Sequence, residues 1–409
     1  MTIAEGIFKT VRTKRQTGLG VQATAPGAQL LRRKTSTFEL KRDTYSTADE
    51  IASHQQVISE RQGTQMVDGK LSGLLSPGTY ADWISQVTRK DFAAGATSGA
   101  LTNVTAAVTT GAFGTFTRAA GSFLTDGFKV GDVARWAGWA TTGTPNNAHN
   151  FLITALTASV MTGKMLDNVA VGPKASGDSV TCTVVGKKSY IPESGHTNIY
   201  NTIEEFRSDV VMSEVSKDVQ VGQIAVKLPG NGNAEIDFTL VGLDQTSAGA
   251  PYFTSPTAES TSDVLSTATG LLVLNGNESA IVTNIDFTID GQVSALDGVV
   301  GTNLRPDISR KKVLVKGSFS AFLDSSAIHT LFLNETETSL ISVLTSGRTP
   351  AADFIGFTMP RIKIQGSAPD DGEKATVRTY AFTALYDFTG GTGTDSDRST
   401  LSVQDSLAP

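Results

Sequence analysis

Apolar and polar residues alternate through much of this chain with the two-residue period of a half-buried strand. TFELKRDTY from Thr37 is such a stretch, and TQMVDGKLSGLL from Thr64 sets Met66, Asp68, Lys70 and Ser72 against Val67, Gly69 and Leu71. The period then changes. Ser76 offers a helix cap, Pro77 suits a first helical position, and Tyr80, Trp83, Ile84 and Val87 follow at the spacing of one helical stripe.

The same order recurs. VDGKLSGLLSPGTYADWI from Val67 aligns without a gap on VKGSFSAFLDSSAIHTLF from Val315, an offset of 315 − 67 = 248. In the later copy Asp324 can cap, and Ile328, Leu331 and Phe332 take the places of Tyr80, Trp83 and Ile84. A stripe of this kind predicts a helix packed on a core. Upstream, FELK at Phe38 matches FTID at Phe287, an offset of 249. Downstream, each copy closes with a hairpin: IAVKLPGNGNAEIDFTLVGLD from Ile224 and IKIQGSAPDDGEKATVRTYAFTALYD from Ile362. Matching Phe238 to Phe382 gives 382 − 238 = 144, so the first copy holds 248 − 144 = 104 extra residues.

These patterns divide the chain. Residues 1–36 read as an extended basic arm carrying Lys9, Arg12, Lys14, Arg15, Arg32, Arg33 and Lys34; on charge complementarity it would strap against an acidic neighbouring subunit. A first repeat covers 37–95 and 188–246, interrupted by a small all-β insertion at 96–187 that opens with a Gly/Ala/Thr-rich linker. A polar linker at 247–264, a second repeat at 265–390 and a tail at 391–409 complete the order. The fold class is mainly β: two tandem sandwich or barrel domains, each with a flanking helix, plus the inserted β domain.

Composition narrows the function. At 409 residues, 39% hydrophobic and 18% charged, the chain can bury two or three cores without staples. Its net charge of −6 gives no general attraction to nucleic acid or anionic membranes. No run approaches a bilayer span and no signal peptide opens the chain, so a soluble product made in a cytoplasm is expected. The single Cys182, in VTCTVVG, reads as a buried strand residue.

Candidate chemistry is sparse. The four histidines, His54, His149, His196 and His329, show no metal-ligand spacing, and His329 reads as a solvent-facing or capping residue. Nucleophile-elbow, phosphate-loop and dinucleotide motifs are missing. Glu204/Glu205 and Asp370/Asp371 could in principle serve a glycosidase, but adjacent acids in polar segments read as solvated surface. NES at Asn277 and NET at Asn334 fit the glycosylation sequon, which a cytoplasmic product would not use. Trp136 and Trp139 in ARWAGW could stack a sugar, although core packing is the simpler reading. No catalytic residue, cofactor or metal is expected.

A duplicated β-plus-helix unit with an arm, an insertion and no reactive cluster resembles the tail tube (major tail) proteins of long-tailed, non-contractile bacteriophages, in the form with two tube domains per chain. The resemblance rests on SERQGTQMVDGKLSGLL, on KKSYIPESG leading into GQIAVKLPGNGNAEIDFTLVGLD, and on VLVKGSFSAFLDSSAIHTLF with FTMPRIKIQG; it spans about residues 30–390. It implies a structural virion protein whose copies form rings, three chains making a pseudo-hexamer, stacked into a hollow tube. Tail terminator, tape measure and distal tail proteins are the implied partners, and double-stranded DNA passes through without specific binding. Long polar connections at 43–63 and 291–310 would reach the adjacent ring, and the insertion would decorate the exterior. The alternative is a surface β protein that binds glycans through the insertion.

Overall fold

The computed structural model describes residues 3–48, 51, 53–54, 56–109, 113–140, 146–279, 281–370, 375–390 and 395–409. The chain begins with β1 (Lys9–Arg15), β2 (Gln29–Leu30), β3 (Thr35–Ser46), β4 (Glu60–Leu74), α1 (Ala81–Thr88) and β5 (Ala93–Ala94). There follow β6 (Val104–Val108), β7 (Phe113–Arg118), β8 (Val133–Ala137), β9 (Phe151–Leu156), β10 (Val160–Met165), β11 (Thr181–Val184) and β12 (Lys187–Tyr190). Next come β13 (Asn201–Arg207), β14 (Met212–Pro229), β15 (Glu235–Gly242), β16 (Asp244–Ala248), β17 (Leu271–Leu274), β18 (Asn277–Glu278) and β19 (Val282–Asp290). The last are β20 (Val293–Ala295), β21 (Ile308–Arg310), β22 (Leu314–Phe322), α2 (Ala327–Leu333), β23 (Thr338–Thr345), β24 (Phe354–Pro369), β25 (Val377–Ala384) and β26 (Ser402–Asp405).

Eight strands bond side by side, each pair antiparallel, in the order β3, β4, β15, β14, β19, β22, β25, β24. Alternation decides which way they face. In β15, Ile236, Phe238 and Leu240 are buried while Asp237 and Thr239 look outward, and β19 does the same with Ile285, Phe287 and Ile289 against Asp286 and Thr288. A second layer covers the apolar face: the first half of β14 pairs with β13 and β16, and the first half of β24 with β23 and β26. The main core lies between these layers and runs through both repeats.

The duplication holds strand by strand. Phe38 stands opposite Gly69 and Phe287 opposite Gly317. A Cβ on Gly69 would lie 2.6 Å from the Phe38 ring, and one on Gly317 would lie 2.7 Å from Phe287 and Phe382, so each copy needs glycine there. Register breaks at Val221/Gln223 and Asn201/Ile203 recur at Ile364/Gly366 and Thr338/Leu340. The hairpin β1–β2 is repeated as β17–β18, Arg12 facing Leu30 as Val273 faces Glu278.

One alignment moves. Gly69 faces Leu240 and Gly317 faces Phe382, which equates Leu240 with Phe382 and gives 382 − 240 = 142 in place of 144. The extra length in the first copy is therefore 248 − 142 = 106 residues. A slip of two keeps every side chain on its face, so alternation alone could not detect it.

The helices differ from expectation at their starts. Ser76 does not cap α1; its hydroxyl meets Thr79 at 2.6 Å, Pro77 lies in the preceding turn, and Tyr80 occupies the N-cap without a side-chain bond. Asp324 does not cap α2 either, accepting instead from the Ser325 hydroxyl, and Ser326 is the N-cap. Once formed, the two helices fare differently. Tyr80, Trp83 and Ile84 are fully buried, with the Trp83 ring edge-on to Phe238 at 5.0 Å. The Tyr80 hydroxyl donates to the Arg32 carbonyl at 2.7 Å, and burial pushes its pKa up to about 12. Ile328, Leu331 and Phe332 pack on the same core but stay half-buried. His329 does not cap and is half-buried; the Arg378 guanidinium donates to its Nδ1 at 3.0 Å.

Residues 104–184 carry a separate six-stranded sheet in the order β11, β8, β9, β10, β7, β6, so part of the passage read as linker is strand. Its core gathers Phe116, Phe123, Phe128, Trp136, Trp139, Phe151 and Cys182. Trp136 and Trp139 lie inside it at 0% and 4% exposure, which removes the stacking platform of the glycan reading. Burial pushes the Cys182 thiol well up. This module docks on the second repeat, Val133, Leu152 and Leu166 meeting Leu271, Val273, Ile341, Val343 and Phe354.

Three connecting segments are also more ordered than expected. The arm contributes β1 and β2 to the sheet beside β13. The linker buries Phe253 against Ala23 and Ala28. The tail ends in β26, which pairs with β12 and β24; of the expected tail, residues 391–394 lie outside the described ones. β26 holds on β24 the place that β16 holds on β14, so it completes the second repeat. Polar composition did not reveal these strands because each buries only a few side chains.

Trp83→Ala should cost about 3–5 kcal/mol of stability by removing a fully buried indole, whereas Leu331→Ala in the half-buried helix should cost about half that or less. Urea unfolding of dilute protein would compare the two directly.

Candidate functional surface

The outward face of the eight-stranded sheet is a polar lattice. One row crosses all eight strands as Thr35, Ser72, Asp237, Ala225, Thr288, Lys316, Thr383 and Lys363. The row on one side reads Thr37, Lys70, Thr239, Gln223, Asp290 and Leu314; the row on the other side runs through Glu235, Lys227, Asp286, Ser318 and Ala381. In these rows Lys70, Lys227, Lys316 and Lys363 balance Asp237, Asp290, Glu235 and Asp286, and every cation is lysine.

One pair of these charges meets directly, and further pairs lie beside the rows. Lys227 meets Asp237 at 2.8 Å, Lys41 meets Asp68, and Lys34 meets Glu235. The hydrogen bond from Lys227 pulls against partial burial and holds the Asp237 carboxyl below its usual range; its counterpart on Lys227 raises that ammonium. A lysine tied to a neighbouring carboxylate presents little free positive charge to a passing polyanion.

The sheet has two open edges. Among the described residues, β3 pairs only with β4, and the Gly366–Pro369 end of β24 pairs only with β25. The equivalent strands inside the chain, β19 and the second half of β14, pair with one another.

The basic arm residues are occupied within the chain. Lys9 meets Glu205 at 2.6 Å and Arg12 meets Glu204 at 3.2 Å. Arg15 bridges Asp82 and Asp91, and Lys14 donates to Thr24 and to the Pro26 carbonyl. Arg32 and Arg33 donate to carbonyls of Ser262 and Lys9. Within one chain these arm residues are thus met by the chain's own acids and carbonyls. Glu204 and Glu205 are not solvated either, being 0% and 2% exposed on a strand flanked by β1 and β14. Glu204 accepts from Arg12, from the Ser213 hydroxyl at 2.6 Å and from the backbone of Tyr252 and Phe253 at 2.6 and 3.1 Å. A basic strand that needed an acidic partner was the available signal for these two residues. Asp370, described up to the end of β24, is exposed, and Asp371 lies outside the described residues.

The C-terminal strand acts as a clasp. Both Asp405 carboxylate oxygens accept from the Gly78 N–H, at 3.0 and 2.8 Å, just ahead of α1. Gln404 accepts from Val133 N–H at 2.8 Å and donates to the Val133 and Val185 carbonyls, gripping the inserted module. Asp132 of that module pairs with Lys188 and its pKa is raised by burial.

Two equivalent β units are joined edge to edge, with an open strand at each end of the sheet and, among the described residues, no cluster able to hold a metal ion. The family described as "Phage tail tube protein" matches residues 9–390, and the chain belongs to that family. No curated protein matches it.

Burial raises the Asp405 carboxyl from its ordinary 3.8 to about 6. The folded state thus holds this proton more tightly than the unfolded chain. The stability it lends is full below about pH 4 and is lost as pH rises through about 6. Asp405→Asn cannot titrate, so its melting temperature should fall less than that of the parent between pH 4 and pH 7, as scanning calorimetry would register.

Proposed function

We propose that this protein polymerises into the phage tail tube, three chains closing each ring and rings stacking into a hollow conduit for the genome. The duplication carries this reading. Each chain holds two equivalent wall units already joined as β14 to β19, and the two strands left open are the equivalents of that pair. A contact between unlike edges repeats from copy to copy and closes when the rotation completes a circle. If each unit spans one sixth of the circumference, three chains suffice.

The lattice of Ser, Thr and numerically balanced lysines and acids suits a lumen wall, where DNA must pass without being held. The inserted module, docked on the layer opposite this face, belongs on the exterior. The role is architectural and not enzymatic; the protein would be made in the host cytoplasm and reside in the virion tail. Tail terminator, tape measure and distal tail proteins are its expected partners. The glycan-binding reading has lost its tryptophans to the core and is not pursued.

Electron microscopy of the purified protein should show hollow tubes or rings, with three chains per ring by native mass. Six chains per ring would refute the two-units-per-chain reading, and a persistent monomer would refute the tube. Placing arginine on the polar face, as Thr288→Arg with Thr383→Arg, should make assembled tubes retain duplex DNA. That retention should weaken steeply between 50 and 200 mM salt in a sedimentation assay, over a range of about tenfold or more.

A further inference from the structure

We infer that the contact between neighbouring chains copies the internal junction residue for residue, the Gln365–Pro369 end of β24 pairing antiparallel with residues 38–42 of β3 in a second copy. This rests on the tube reading and specifies its junction.

The internal junction is fully defined. Gln223, Ile224, Ala225 and Val226 face Asp290, Ile289, Thr288 and Phe287, and just beyond them the Gly291 N–H donates to the Gly222 carbonyl at 2.8 Å. Two matched register breaks equate β14 with β24 at 364 − 221 = 143, and the Phe–Gly pairs equate β3 with β19 at 287 − 38 = 249. Carrying the junction across by these offsets sets Gly366 opposite Lys41, Ser367 opposite Leu40, Ala368 opposite Glu39 and Pro369 opposite Phe38. The Arg42 N–H takes the place of Gly291 and donates to the Gln365 carbonyl.

The chemistry at both edges agrees with this placement. Glu39, Lys41 and Ala368 look to the polar face, as Thr288, Asp290 and Ala225 do at the internal junction; Phe38 and Leu40 turn to the core, as Phe287 and Ile289 do. A two-residue slip would keep the faces but mismatch the bulge that ends the pairing, and a one-residue slip would turn Phe38 into the lumen. Pro369 lacks an N–H, so the ladder weakens there while Gln365 to Ala368 carry it. The helices follow the same logic. At the end of α1, Arg89 donates to the Gly291 and Lys311 carbonyls in the β19–β22 connection of the next unit. Its counterpart after α2 is Glu337, at 337 − 89 = 248, exposed and salt-bridged to Arg361, where a neighbour's β3–β4 hairpin would bring Arg42.

Disulfide trapping tests the register, since a bridge requires Cα atoms within about 7 Å. The native thiol, Cys182, is buried and silent. Glu39→Cys with Ala368→Cys alters two exposed side chains, and assembled tubes of this variant should run as covalent trimers on a non-reducing gel. Lys41→Cys with Ala368→Cys, a register two residues away, should remain monomeric on the same gel. Linking of the second pair in place of the first, or of neither in tubes seen by microscopy, overturns the register while leaving the tube. Absence of rings or tubes from the unsubstituted protein overturns the tube reading itself.

Discussion

Backbone hydrogen bonding at strand edges is the constraint on which this molecule depends. An open edge presents a row of unpaired N–H and C=O groups, and a long sheet must pair, cover or blunt both of its ends. Here one junction of like units is closed within the chain, by β14 against β19. β14 makes that possible because it belongs to two layers: its first half pairs with β13 and β16, its second with β15 and β19. The register break at Gly222 lies where it passes from one layer to the other, and a bulge is the local device for such a turn.

The unequal burial of the helices follows from their position along the sheet. The C-terminal clasp at Gly78, the β12 strand and the loop after β19 all reach α1. α2 stands at the far end of the sheet, packs mainly on β24, and keeps its stripe half-exposed. Equivalent stripes in the two copies thus differ in burial because one packs inside the sheet and the other at its edge.

Much of this was readable from letters. The repeated FELK/FTID and VDGK/VKGS segments, the helical stripes and the presence of an insertion all leave signals that burial enforces. What was hidden has physical causes. Ser76 and Asp324 look like caps, yet each helix starts beyond them, with Tyr80 and Ser326 at the N-cap and no side-chain cap bond. The two-residue slip between Phe238 and Leu240 is invisible to alternation. Glu204 and Glu205 are hidden in sequence because partners 192 and 196 residues away neutralise them (Arg12 and Lys9). The open edges and the polar lattice were not legible at all, since both depend on strand order, which local pattern does not encode.

The outer layers of the two units offer a natural substitution series. Arg12 pairs in register with Glu204 in the first unit, and Val273 pairs with Ile341 at the same place in the second. A buried ion pair and an apolar pair can serve one site with similar net stability, because desolvation offsets most of the Coulombic gain. What distinguishes them is the cover. Val273 and Ile341 meet the aliphatic face of the inserted module, to which a charge would be a loss. Glu204 instead receives the backbone N–H groups of Tyr252 and Phe253, polar donors that an isoleucine would leave unpaired. The two β units therefore keep one backbone lattice and have diverged where different segments of the same chain lie over them.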